Sequence, residues 1–479
     1  MTFAAARDRR TPIVLALALF ASYAYFYQAG GWNQNSRFAL VRAIIEHHTL
    51  QIDDYQLHTG DRAIYQGHYY TDKAPGASLL ALAPSAVARV VARADHVDPE
   101  GFPGLAWTSY VATVATSGVF TVIAALIVFS LCTEWGYSRG AALFAATAYG
   151  LATPAWCYAT LFMEHALTAG ALMLAFRAAL SPRTDRGLFV VGLWTGFAVV
   201  CELQAAIPAA IIVVLALLNQ RDRDARALPR ALAIVVSGGL VLGAVFFAYN
   251  TLAFGSPFHI GYSSEEGFEH LHTGFFGITY PSISTLAFIL AGRYRGLLPL
   301  APLVALMPVG LLMLARTPAR RRAAIAAACV AAYYFLLNAS YYYWEGGWAY
   351  APRHVTPALP FLALGLAPLW DSWRTIGRSV LVAGWVWGAA LTLVAVSTTP
   401  QPPSDVRWPT VDLLWPAFRD GDLSINTQTF VHNSLPGPLR NNPGQHASWN
   451  LGQVAGLHGH ASLAPLGAAW LAAAAALLL

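Results

Sequence analysis

The sequence predicts an all-α polytopic membrane protein, a bundle of about 12 transmembrane helices with one long loop after the first. Hydrophobic residues make up 57% of the 479 positions and charged residues only 11%, where a soluble domain carries about a quarter. Several apolar runs reach the roughly 20 residues a helix needs to cross a bilayer core. Basic charge is also lopsided: 17 of the 28 arginines fall in short segments on one side of the expected bundle.

In chain order, spans are expected near residues 11–28, 105–132, 139–156, 161–180, 187–203, 204–219, 229–252, 283–315, 322–340, 353–370, 376–396 and 462–479. With the N-terminus inside, the tail "RDRR" and the loops "TEWGYSR", "RAALSPRTDRG", "NQRDRDARALPR", "RTPARRR" and "WDSWRTIGR" face the cytoplasm. That is the distribution the positive-inside rule describes. The first run ends in "YAYFYQAGG" without a small-residue cleavage site, so it reads as an uncleaved anchor. The expected location is a bacterial inner membrane, multi-pass, with a cytoplasmic N-terminus.

Residues 29–104, 253–282, 341–352 and 397–461 form long segments on the opposite, outer side, and they hold most of the acids and histidines. Long loops in compact proteins tend to be functional or disordered, so chemistry is expected on this face. The chain divides into a transmembrane domain over 1–396, with its first outer loop at 29–104, an irregular outer-face segment over 397–461, and a last span over 462–479. The run Ala74–Val91 is long enough to cross. If it crossed, every later arginine-rich loop would lie outside, so it reads as an interfacial helix. The first outer loop then carries two short helices, near 36–48 and 76–93.

The four cysteines show no CxxC or Cys/His spacing, so neither a disulfide framework nor a zinc site is expected. No nucleotide-binding glycine loop, nucleophile elbow or HExxH motif occurs, and no nucleic-acid partner is expected.

Two stretches of the first outer loop carry a resemblance. "NQNSRFALVRAII" follows the first span, and "YYTDKAPGASLL" leads into the interfacial helix. In this order, with many spans behind them, they resemble the GT-C superfamily of membrane glycosyltransferases, nearest the branch of protein O-mannosyltransferases and lipid A aminoarabinose transferases. The later run "YYYWEGGWAYAPRHVTPALPFLAL" is similar to members of the same group. The resemblance implies a GT-C-like fold and transfer of a hexose or pentose from a polyprenyl-phosphate donor to a glycan, lipid or protein acceptor at the outer face, among membrane lipids. The competing class is a transporter or lipid-linked sugar flippase, which calls for paired repeats that the sequence does not display.

Such a displacement needs a carboxylate to take the acceptor proton and cations to hold the leaving phosphate. The family's acidic position after the first span is occupied here by Gln34 or Asn35, according to a one-residue alignment choice, and an amide is no base. The candidate bases are therefore the loop acids, in the order Asp72, Asp53, Asp61 and Asp54, each of which has an alternative role as a turn former. Two of them could hold a divalent metal. Lys73 is the only lysine in the chain and stands where the resembling motif places a donor-phosphate contact. Arg293 and Arg295 in "AGRYRGLLPL", and Arg353 after the aromatic run, are further candidates for the phosphate. Glu164, His165, His354, Tyr70 and Trp348 complete the expected substrate contacts, and Glu202 is an acid at a membrane-helix end, functional or simply a turn residue.

Overall fold

A computed structural model describes residues 9–181, 184–222, 224–430 and 447–478. Arg7, Arg183 and Arg223 of the arginine-rich segments, residues 431–446 of the 397–461 segment and the final Leu479 lie outside them. Every expected span coincides with helix over most of its length. Seven helices among the described residues are long and apolar enough to cross a membrane: Gly76–Ala94, Phe102–Glu134, Leu203–Arg221, Ala225–Phe254, Arg321–Ser340, Thr375–Thr398 and Gly459–Leu477. Arg10–Ala24 and Pro302–Arg316 are shorter apolar helices. Among the described residues, the named strands form two small antiparallel pairs, Ala63–Tyr65 with His68–Tyr70 and Phe26–Tyr27 with Trp449–Asn450.

Length alone would let Gly76–Ala94 cross, but its partners place both its ends at one end of the bundle. Gly76 packs on the backbone of Cys201, the last residue of helix Asp185–Cys201, whose first residue pairs with Arg230 at the arginine-rich end. Ala94 leads within a few residues into the long helix beginning at Phe102, whose far end, Glu134, pairs with Arg177 in that same arginine-rich layer. Arg89 ties the helix to Glu46 at 2.7 Å and to Glu100 at 3.1 Å, and Trp107 Nε1 donates to Ala88 O. The helix thus starts and finishes at the loop-rich end, beside Trp32–His47, the first helix of the loop.

The four cysteines are free. The described residues of the 397–461 segment include regular elements. Short helical turns occupy Thr410–Leu414, Trp415–Arg419 and Leu451–Val454, and Trp449–Asn450 pairs with the chain just after the first span. The span expected over 283–315 is broken by the turn at Gly292–Gly296, between Ile283–Ala291 and Leu297–Leu300.

Small residues set the closest helix approaches, as is usual where lipid offers no hydrophobic drive for association. A Cβ on Gly192 would overlap Val235 O, and one on Gly238 would overlap Phe189 O, so helices Asp185–Cys201 and Leu228–Phe254 meet backbone to backbone. Gly192→Val should therefore lower the Tm of the detergent-purified protein by about 5 °C or more. Gly243→Ala, whose Cβ would meet nothing nearer than Phe247 at 4.0 Å, should melt like the parent; equal melting of both variants would remove this packing argument.

Candidate active site

The site begins with a turn. Thr71 Oγ1 accepts from the Lys73 amide, and Ser36 links this turn to helix Trp32–His47 through Thr71 Oγ1 at 2.7 Å and Asp72 Oδ1 at 3.2 Å. The turn aims the Lys73 ammonium back between two carboxylates, Asp72 Oδ2 at 2.5 Å and Asp61 Oδ2 at 2.9 Å. Burial opposes the lysine charge, but Asp61 and Asp72 outweigh it and hold the Lys73 pKa well above its ordinary value. Burial raises the Asp72 carboxyl in turn, against the pull of Lys73 and with the added push of Asp61. A third acid, Glu265, comes from the 253–282 segment; burial first, and then the charge on Asp72, push it up to about 9.

Beside this cluster lies a buried ion pair. Arg37 Nη2 is 2.6 Å from Glu164 Oε2, its Nε donates to Asn33 Oδ1, and its Nη1 donates to Ala74 O, just past Lys73. One guanidinium thereby joins the loop helix, the turn and the start of helix Glu164–Ala179. The next residue, His165, has Nδ1 3.6 Å from Glu202 Oε1, and its ring centroid is 5.4 Å from that of His354.

These groups surround a cavity of about 370 Å³ at the loop-rich end. Of the residues singled out in the sequence, Asp61, Lys73, Glu164, His165, Glu202, Trp348, Arg353 and His354 line it. Arg353 enters no ion pair among the described residues, and its buried Nε has no hydrogen-bond partner. Asp72 stands behind Lys73 with a fully buried side chain and does not line the cavity, which reverses its precedence over Asp61. Gln34 lines the cavity and donates to Gln401 Oε1, whereas Asn35 spends its amide on His58 O and Thr429 O. The amide facing the cavity is thus Gln34.

Other expected site residues lie elsewhere. Asp53 accepts from the Tyr69 amide at 2.6 Å and meets His68 Nδ1 at 2.7 Å, so it shapes the hairpin. Asp54 is largely exposed, 3.5 Å from His47. Tyr70 packs on Phe254 in an apolar cluster. Arg293 lies over the Trp408 ring near the surface. Arg295 is buried but committed: it donates to the carbonyls of Glu345, Gly347 and Pro402, a staple for the aromatic loop and no clamp for phosphate. Sequence reasoning missed Arg37 and Glu265 as site residues. Arg37 lay in plain view in "NQNSRF"; Glu265, in a loop with many acids, carried no local signal. Among the described residues, no group of three or more His, Cys, Asp or Glu side chains could hold a metal ion, and within the acid cluster the Lys73 ammonium occupies the central place.

The overall fold is similar to that of solved structures. ArnT from Cupriavidus metallidurans bound to undecaprenyl phosphate superposes with a TM-score of 0.55 and 17% identity, covering 86% of this chain and 68% of that one. The apo form gives 0.53 and 16%, covering 86% and 67%. The chain shares the fold of these ArnT structures. At this identity the likeness concerns the fold alone. No family model matches the sequence, and no curated protein does.

Two outcomes test the geometry. Removing one member of a buried ion pair strands the other charge, at about 3–5 kcal/mol, whereas replacing both with apolar groups is often neutral. Arg37→Met should therefore sharply lower the Tm in detergent, and Arg37→Met with Glu164→Leu should recover most of the loss; a double variant as unstable as the single one would argue against the pairing. Glu265 supplies a pH test. Its folded pKa, about 9, lies above the ordinary 4.5, so between these values the folded state holds a proton the unfolded chain releases, and stability falls as pH rises through that window. Glu265→Gln should melt higher than the parent at pH 8 and show a smaller difference at pH 5; an identical gap at both values would contradict the raised pKa.

Proposed function

We propose that the chain is a membrane glycosyltransferase that moves a hexose or pentose from a polyprenyl-phosphate donor to an acceptor hydroxyl at the loop-rich end, which faces away from the cytoplasm. The observation that carries this reading is Arg353, a guanidinium in no ion pair among the described residues, lining the same cavity as Lys73 and Asp61. A fixed cation that no carboxylate contacts directly suits an anionic ligand, and a planar guanidinium can grip phosphate through two donors. The fold likeness to ArnT, solved with undecaprenyl phosphate bound, supports a lipid phosphate as that anion. The arginine-rich layer at the other end supports a cytoplasmic N-terminus in a bacterial inner membrane.

In this reading the acceptor oxygen attacks the anomeric carbon and its proton passes to the Asp61 carboxylate. The bond from that carbon to the phosphate oxygen breaks, and its electron pair leaves on polyprenyl phosphate. Arg353 and Lys73 hold the charge that develops there. Asp61 takes the base role because its carboxylate reaches the cavity, whereas Asp72 fixes Lys73 from behind. Glu265, neutral below about pH 9, adds no repulsion toward the phosphate.

Purified protein incubated with a panel of radiolabelled polyprenyl-phosphate sugars should release label from lipid with at least one donor. Asp61→Asn should slow that release by about 10²–10⁴-fold, the usual contribution of a positioned acid or base, and Arg353→Gln should weaken donor binding. No release with any donor, together with flux of a lipid-linked sugar across liposomes, would replace this reading with a transporter.

A further inference from the structure

Three further groups lining the cavity are Glu202, His165 and His354. Helix Asp185–Cys201 stops at Cys201, Glu202 takes an extended conformation (φ −150°, ψ 109°), and a short turn over Leu203–Ala205 opens the next span. Glu202 is thus at a helix–helix turn, yet the turn does not solvate it: the residue is only 4% exposed. Its Oε2 has no hydrogen-bond partner, and its Oε1 stops 3.6 Å from His165 Nδ1. Neither ring nitrogen of His165, 1% exposed, has a hydrogen-bond partner, and nor does Nε2 of His354. Buried polar atoms are nearly always satisfied, and a buried carboxylate left without a partner is costly. Four such atoms on three residues lining one cavity mark a place where a ligand completes the bonding.

The chemistry of these atoms states what fits. A carboxylate only accepts, and each neutral imidazole offers one donor and one acceptor. Phosphate oxygens also only accept, so Glu202 repels them, and the anion belongs with the cations Arg353 and Lys73. Hydroxyl groups donate and accept, which is what this set lacks. Tyr341, whose ring lies 5.3 Å from that of His354, adds an aromatic wall beside them.

Building on the glycosyl-transfer reading, we propose that Glu202, His165 and His354 hold the donor's sugar ring by its hydroxyls, and that Glu202 selects against sugars bearing a carboxylate. The test measures equilibrium binding of undecaprenyl phosphate alone, of its glucosyl, mannosyl and galactosyl forms, and of its glucuronyl form, to the parent, Glu202→Gln and His354→Gln. At least one neutral hexosyl form should bind the parent about tenfold tighter than undecaprenyl phosphate, the worth of one or two hydrogen bonds to a charged group. Glu202→Gln should erase that increment, leave undecaprenyl phosphate within about twofold, and bind the glucuronyl form tighter than the parent does. His354→Gln should also reduce the increment, and it serves alone if Glu202→Gln does not purify folded. A hexosyl increment that survives both substitutions overturns this assignment while the glycosyl-transfer reading stands. If undecaprenyl phosphate does not bind the folded parent at all, that reading fails first and takes this one with it.

Discussion

The buried pair of Arg37 with Glu164 is the constraint on which the site depends. Arg37 belongs to the loop after the first span and Glu164 to the start of a membrane helix, so their 2.6 Å contact fixes the loop layer on the bundle. The same guanidinium reaches Ala74 O, one residue past Lys73, and so sets where the lysine turn lies. Position here follows from charge. An arginine in so dry a setting has few ways to be satisfied, and each of them locates a different piece of chain.

Charge balance organises what remains. Lys73 is answered by two carboxylates, Arg37 by one, and Glu265 by keeping its proton. Arg353 and Glu202, each without a close arginine or carboxylate partner among the described residues, line one cavity. A cavity lined by both a cation and a carboxylate offers different contacts to a phosphate and to hydroxyl groups.

Much of this architecture was legible in the sequence, because hydropathy and arginine placement report on solvent, which acts on every residue. The polytopic helical bundle and the interfacial helix came from that signal. Asp61, Lys73 and Arg353 were found by residue type and motif, and they do line the cavity. What failed were assignments that depend on a distant partner. Arg295 was a candidate for the phosphate, yet it donates to the carbonyls of Glu345, Gly347 and Pro402. Asp53 and Asp54 neighbour the right segment and face away from it. Glu265 reaches Lys73 across nearly two hundred residues, and no period or spacing announces such a meeting.

The solitary lysine has one more consequence. In a chain whose other side-chain cations are arginines, an amine-directed acylating reagent has a single ε-amino target, and here that nitrogen is locked between Asp61 and Asp72. A protonated, paired amine is no nucleophile, so acylation must wait for the cluster to open and the nitrogen to shed its proton. Its rate would therefore track the breathing of this one turn, much as amide exchange tracks local unfolding, and a ligand that quiets the turn would protect it.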